Sequence, residues 1–75
     1  MKTVRVNQDL GAGWRLVSLT QVETNSKIIE IVLTKDGKEF DVNFDTNSAM
    51  ILEPTVLLTT TQLHIIETVA IQLLK

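Results

Sequence analysis

Residues 27–44 decide the fold: Lys27-Ile28-Ile29-Glu30-Ile31-Val32-Leu33-Thr34-Lys35-Asp36-Gly37-Lys38-Glu39-Phe40-Asp41-Val42-Asn43-Phe44. The first eight residues are rich in β-branched side chains, which suit a pleated surface. The last six alternate strictly between polar and apolar, the period of a half-buried strand. Between them sits Asp36-Gly37. A two-residue type I′ turn needs positive φ at both central positions, and Asp-Gly meets that need at low strain.

Parity fixes the register of this hairpin. A turn at Asp36-Gly37 places Leu33 opposite Phe40, Ile31 opposite Val42 and Ile29 opposite Phe44. Both strands then put only apolar residues on one face, and a slip of one residue would ruin the match. The other face receives Ile28, Glu30, Val32 and Thr34 opposite Asp45, Asn43, Asp41 and Glu39.

Working towards the N-terminus, residues 14–22 read as a preceding strand, with Thr24-Asn25-Ser26 as turn residues. A short connection aligns Leu19 with Ile31 and Val17 with Leu33 on the core face. Leu16, Val22, Ile28 and Val32 then share the outer face, with Trp14 at the strand's start. Residues 3–7 are a weaker strand candidate, and residues 8–13 read as a loop.

Towards the C-terminus, Asp45-Thr46-Asn47-Ser48 reads as a turn and residues 49–52 as a short strand. Pro54 cannot donate to a ladder, so this strand belongs on an edge. Thr59 and Gln62 have capping-box spacing, and Leu58 with Leu63 has the spacing of a hydrophobic staple. A helix is predicted from about Thr60 to the C-terminus, where Lys75 suits the negative end of its dipole.

The predicted architecture is α+β, one domain over residues 1–75. It is an antiparallel β-meander of four to five strands with one C-terminal α-helix packed on one face. The predicted core is Val17, Leu19, Ile29, Ile31, Leu33, Phe40, Val42, Phe44, Leu63, Ile66, Ala70, Leu73 and Leu74.

With 75 residues, such a domain buries only about 60% of its unfolded surface, and small domains of this kind rely on disulfides, metals or oligomerisation. There is no cysteine and only one histidine, His64. That excludes a disulfide framework and a thiolate zinc site. A cysteine-free chain with no apolar run near the ~20 residues of a bilayer span fits the cytoplasm. Seven basic and nine acidic residues give a net charge of −2, which disfavours non-specific nucleic-acid binding.

Each local motif has a plain structural reading. Gly11-Ala12-Gly13 lacks the following helix of a phosphate loop and reads as a turn. Asp41, Asn43 and Asp45 have the opening spacing of a calcium loop, but the sixth position is Thr46 and the twelfth Leu52. They read as the solvated face of a strand, part of an acidic hairpin that suits a basic protein partner. His64 falls with Thr61, Thr68 and Gln72 on the polar side of the helix, with no nucleophile placed beside it. No cofactor, metal or catalytic constellation is expected.

An antiparallel sheet followed by one helix entered through Leu58-Thr59-Thr60-Thr61-Gln62-Leu63 resembles, in element order, the positive-cofactor-four type of single-stranded-DNA-binding domain over roughly residues 14–75. The resemblance implies nucleic-acid binding on an open sheet face through basic and aromatic residues. The hairpin here places Glu30, Glu39 and Asp41 on that face instead.

The helix supplies the remaining signal. Its apolar residues, from Ile65 and Val69 through Ile66 and Ala70 to Leu63 and Leu74, spread over about 180°, where packing on one sheet needs about 100° or somewhat more. Ile65 and Val69 at the margin are expected to stay wet, and Ile71 adds an apolar residue on the polar side. A non-enzymatic interaction module acting as a homodimer or higher oligomer is the favoured expectation, with the C-terminal helix taking part through Ile65, Val69 and Ile71 and the outer sheet face contributing Leu16, Val22, Ile28, Val32 and Trp14 to the interaction surface. A nucleic-acid-binding domain is the alternative, and an enzyme with a site at an oligomer interface a third.

Overall fold

The computed structural model describes residues 1–73. Five strands form one antiparallel sheet in the order β1-β2-β3-β4-β5, and a single helix follows. The strands are β1 (Lys2–Gly11), β2 (Trp14–Gln21), β3 (Ile28–Lys35), β4 (Lys38–Asp45) and β5 (Met50–Glu53), and the helix is α1 (Thr60–Leu73). This is the meander with one C-terminal helix that the sequence predicts.

The β3–β4 ladder has the expected register without interruption, including Leu33 with Phe40, Ile31 with Val42 and Ile29 with Phe44. Asp36 and Gly37 have φ of 54° and 77°, the left-handed pair that a type I′ turn demands.

The β2–β3 ladder begins as expected, with Leu19 opposite Ile31, and then departs. Leu33 pairs with Leu16, and Val17 is the extra residue of a β-bulge between Leu16 and Ser18. One added residue inverts the parity of everything beyond it. Leu16, expected outside, is fully buried, and Val17, expected in the core, is only half-buried.

β1 is longer than expected. It runs through the predicted loop to Gly11, with its own register shifts between Arg5 and Gln8 and between Asp9 and Gly11. Ala12 and Gly13 alone make the turn into β2, with φ of 53° and 86°. The short strand at the far edge starts at Met50, after a turn in which Asp45 Oδ1 accepts hydrogen bonds from the Asn47 and Ser48 amides at 2.8 and 3.4 Å.

The helix start is a complete capping box. The Thr59 amide donates to Gln62 Oε1 at 2.8 Å, and the Gln62 amide donates to Thr59 Oγ1 at 3.1 Å. Gln62 is itself buried, and its Nε2 donates to the carbonyls of Leu10 and Gly11, both at 3.1 Å. One side chain thus satisfies three backbone groups and ties the helix entrance to the β1–β2 turn. A buried amide held on every side stabilises where an unpaired one would destabilise.

The core lies between the helix and the inner sheet face. Leu10, Trp14, Leu16, Leu19, Ile29, Ile31, Leu33, Val42, Phe44, Ala49, Ile66 and Ala70 are buried, and Phe40, Val56, Leu58 and Leu63 pack against them half-buried. Leu73, expected in the core, is 36% exposed. Leu74 and Lys75 lie outside the described residues.

Candidate outer sheet face

The pleat and the register sort the strand residues into two faces. The inner face is covered by α1 and by Val56 and Leu58 of the connection that precedes it. The outer face carries no helix, and Arg5, Arg15, Ile28, Glu30, Glu39 and Asp41 on it are exposed.

The observed pairings arrange the outer face in cross-strand rows. At one end Ile28 pairs with Asp45, which pairs with Met50. Val22 follows β2 directly, and the Thr20–Glu30 register extended by two residues would bring it beside Ile28. Val22, Ile28 and Met50 are 47%, 39% and 56% exposed, an apolar row interrupted only by Asp45. The next row holds Thr3, Thr20, Glu30, Asn43 and Glu53. The Thr3 and Thr20 hydroxyls hydrogen bond across the strands at 3.0 Å. The third row holds Arg5, Ser18, Val32 and Asp41, and the fourth Asp9, Arg15, Thr34 and Glu39.

Charge divides this face along its width. Both arginines sit on β1 and β2 with Asp9 as the one acid among them, whereas Glu30, Glu39, Asp41, Asp45 and Glu53 sit on β3 to β5. Arg15 Nη1 donates to Asn7 Oδ1 at 3.0 Å, which steadies its guanidinium over β1. On the acidic side Thr20, Glu30, Val32, Asp41, Asn43 and Glu53 line a shallow concavity of about 520 Å³.

The residues singled out from sequence thus divide. Ile28 and Val32 lie on the outer face as expected, and Val22 lies just past the end of β2, where it is exposed. Leu16 does not lie on that face, for the bulge turns it inward. Trp14 is buried on the inner face, with its ring 5.4 Å from that of Phe40 and Lys35 Nζ 5.2 Å from its centroid. Ile65 and Val69, expected to be wet, are half-buried against the core and line a groove of about 400 Å³ with Gln8, His64 and Thr68. Ile71 is 46% exposed on the helix. Met50 was missed, because the parity of a four-residue strand after an irregular turn is not legible in sequence.

The faces differ in a further respect. The chain's three aromatic residues are Trp14, Phe40 and Phe44, and all three join the inner-face packing. Single-stranded nucleic-acid binders stack bases on exposed aromatic side chains beside a cationic groove. The outer face offers no ring, and its concavity is acidic.

Both sheet edges are blunted. β1 is broken by its register shifts and carries Lys2 and Arg5, while β5 has four residues and ends before Pro54. Short strands, bulges, charges and proline are the features that discourage edge-to-edge pairing. Among the described residues no group of three or more His, Asp or Glu is placed to hold a metal ion. No helix of these residues is long and apolar enough to cross a membrane. Comparison with family models, curated proteins and solved structures found no match to this chain.

Proposed function

We propose that this protein is a small non-enzymatic interaction module that associates with itself through the outer face of its sheet. The observation that carries this reading is the uncovered face with its exposed row of Val22, Ile28 and Met50. An apolar strip rimmed by charged residues marks a contact surface better than scattered apolar residues do. The blunted edges support the face over edge pairing. A chain of 75 residues has a small core, and burying part of this strip in a partner adds stability that the fold alone lacks.

The buried aromatics and the acidic concavity weigh against the nucleic-acid reading, and with it against single-stranded DNA as the natural partner. The lack of cysteine is compatible with a cytoplasmic setting. Sedimentation equilibrium over micromolar to millimolar concentrations tests the reading. A mass rising with concentration from 8.4 kDa towards twice that value is expected. A single 8.4 kDa species throughout overturns self-association.

A further inference from the structure

We infer that two copies stack outer face to outer face about a two-fold axis running along β3, so that Arg5 of each copy enters the acidic concavity of the other. This rests on the self-association proposed above and adds its geometry.

A two-fold axis lying in the plane between two sheets has two simple orientations. If it runs across the strands, β1 lies over β1 and β5 over β5. The acidic halves then face each other, and like charges at close quarters oppose binding. If it runs along β3, β1 lies over β5 and β2 over β4. Charge selects the second arrangement, because the arginines are confined to β1 and β2 and most acids lie on β4 and β5.

The row structure then sets the partners. A rotation about an axis along the strands keeps each residue at its height in the sheet. Arg15 shares a row with Glu39, so Arg15 of one copy lies over Glu39 of the other. Arg5 shares its row with Asp41, and on the far side it meets the β4–β5 margin. There Asp41 and Glu53 bound the concavity. Packed sheets lie about 10 Å apart, a gap that an arginine from one side can cross to reach a recessed carboxylate. Val22 meets the Asp45–Met50 margin, and Ile28, Glu30 and Val32, near the axis, meet their own counterparts; the paired Glu30 carboxylates are the like-charge contact this arrangement keeps, whereas the other would oppose all the acids of β3 to β5.

Size agrees with a modest dimer. Four inter-strand gaps and strands of eight residues span about 19 by 26 Å, or roughly 500 Å² per copy. Full overlap of the two faces would bury at most about 1,000 Å² from both copies together, since β5 has only four residues, which puts this dimer at the lower limit for a specific interface. Opposed charges on such a face contribute chiefly register and orientation, and their effect falls with added salt.

The test uses charge reversal in two variants of the full chain. One carries Arg5→Glu and Arg15→Glu, the other Glu39→Arg, Asp41→Arg and Glu53→Arg. Far-UV circular dichroism checks that each is folded, and sedimentation equilibrium gives the masses of wild type, each variant and their equimolar mixture. The expected result is a wild-type dimer that weakens with salt. Each variant alone should dimerise at least about tenfold more weakly, and the mixture should recover a 1:1 dimer, because every reversed charge then faces its opposite. A wild-type dimer that survives both reversals, or a mixture that stays monomeric, overturns this geometry while self-association stands. A wild type that is monomeric throughout overturns both. A variant that does not fold leaves the salt dependence of the wild-type dimer to decide, and a dimer indifferent to salt overturns the arrangement.

Discussion

The two long hairpins obey the same chemistry and differ in regularity. Between β3 and β4, eight consecutive pairs run without a break, so alternation read along either strand gives the inner face correctly. Between β1 and β2 the ladder shifts register twice, and β2 is bulged again at Val17 against β3. Alternation read through a bulge gives the wrong face from that point onward. The regular hairpin shows what periodicity specifies, and the bulged one shows that a single added residue can redistribute a surface. Leu16 and Trp14 moved from candidate surface to core for this reason, and the open face is more polar than parity implied.

The largest expected effect breaks this comparison directly. Leu16→Ala should destabilise the fold by about 2–5 kcal/mol, the range for truncating a buried leucine, whereas Val17→Ala should lose less than about 1.5 kcal/mol. Urea unfolding of both variants measures the difference. Equal losses, or a larger loss at Val17, would restore the uninterrupted register and return Leu16 to the outer face.

The next effect concerns how the bulged hairpin is held. Gln62→Ala removes the donors to the Leu10 and Gly11 carbonyls and the acceptor of the Thr59 amide. A loss of about 1–3 kcal/mol is expected, the scale of leaving buried polar groups unpaired. Amide hydrogen exchange should accelerate around residues 10–14 and at the first turn of α1. A loss confined to the helix would mean that its tie to the turn contributes little.

A smaller effect sharpens the regular side. Gly37 has φ of +77° with open space where a Cβ would stand, so Gly37→Val meets backbone strain alone. A β-branched residue at positive φ should lose roughly 1–3 kcal/mol. Ile28→Glu on the outer face of the same hairpin should change monomer stability by no more than about 0.5 kcal/mol, while weakening any dimer.

Much of this was legible in the sequence where local rules act alone. The Asp36-Gly37 turn, the β3–β4 register, the Thr59–Gln62 box and the Ile28 and Val32 positions all follow from spacing. What was not legible required knowledge of the partner strand. The bulge at Val17 is a mismatch between two chains of residues, and neither shows it alone. The full length of β1 was hidden for the same reason, since Gln8 and Asp9 look like loop residues until paired with Leu16 and Arg15. The second role of Gln62 is a contact across 52 residues, beyond any local pattern. Leu73 failed although at 100° per residue it lies only about 20° from Ile66, at the centre of the apolar arc; it is the last residue of α1, and the angular pattern carries no information on where along the helix burial ends.

The central claim is that the outer sheet face, and not the helix, carries self-association. A dilution series followed by ¹H–¹⁵N correlation spectra tests it residue by residue. Amide signals of Arg5, Ser18, Thr20, Ile28, Glu30, Val32, Asp41 and Glu53 should shift together with concentration, while those of His64, Thr68 and Ile71 on α1 stay fixed. Shifts confined to the helix would move the interface to the groove beside Ile65 and Val69, and spectra unchanged from micromolar to millimolar concentration would contradict self-association altogether.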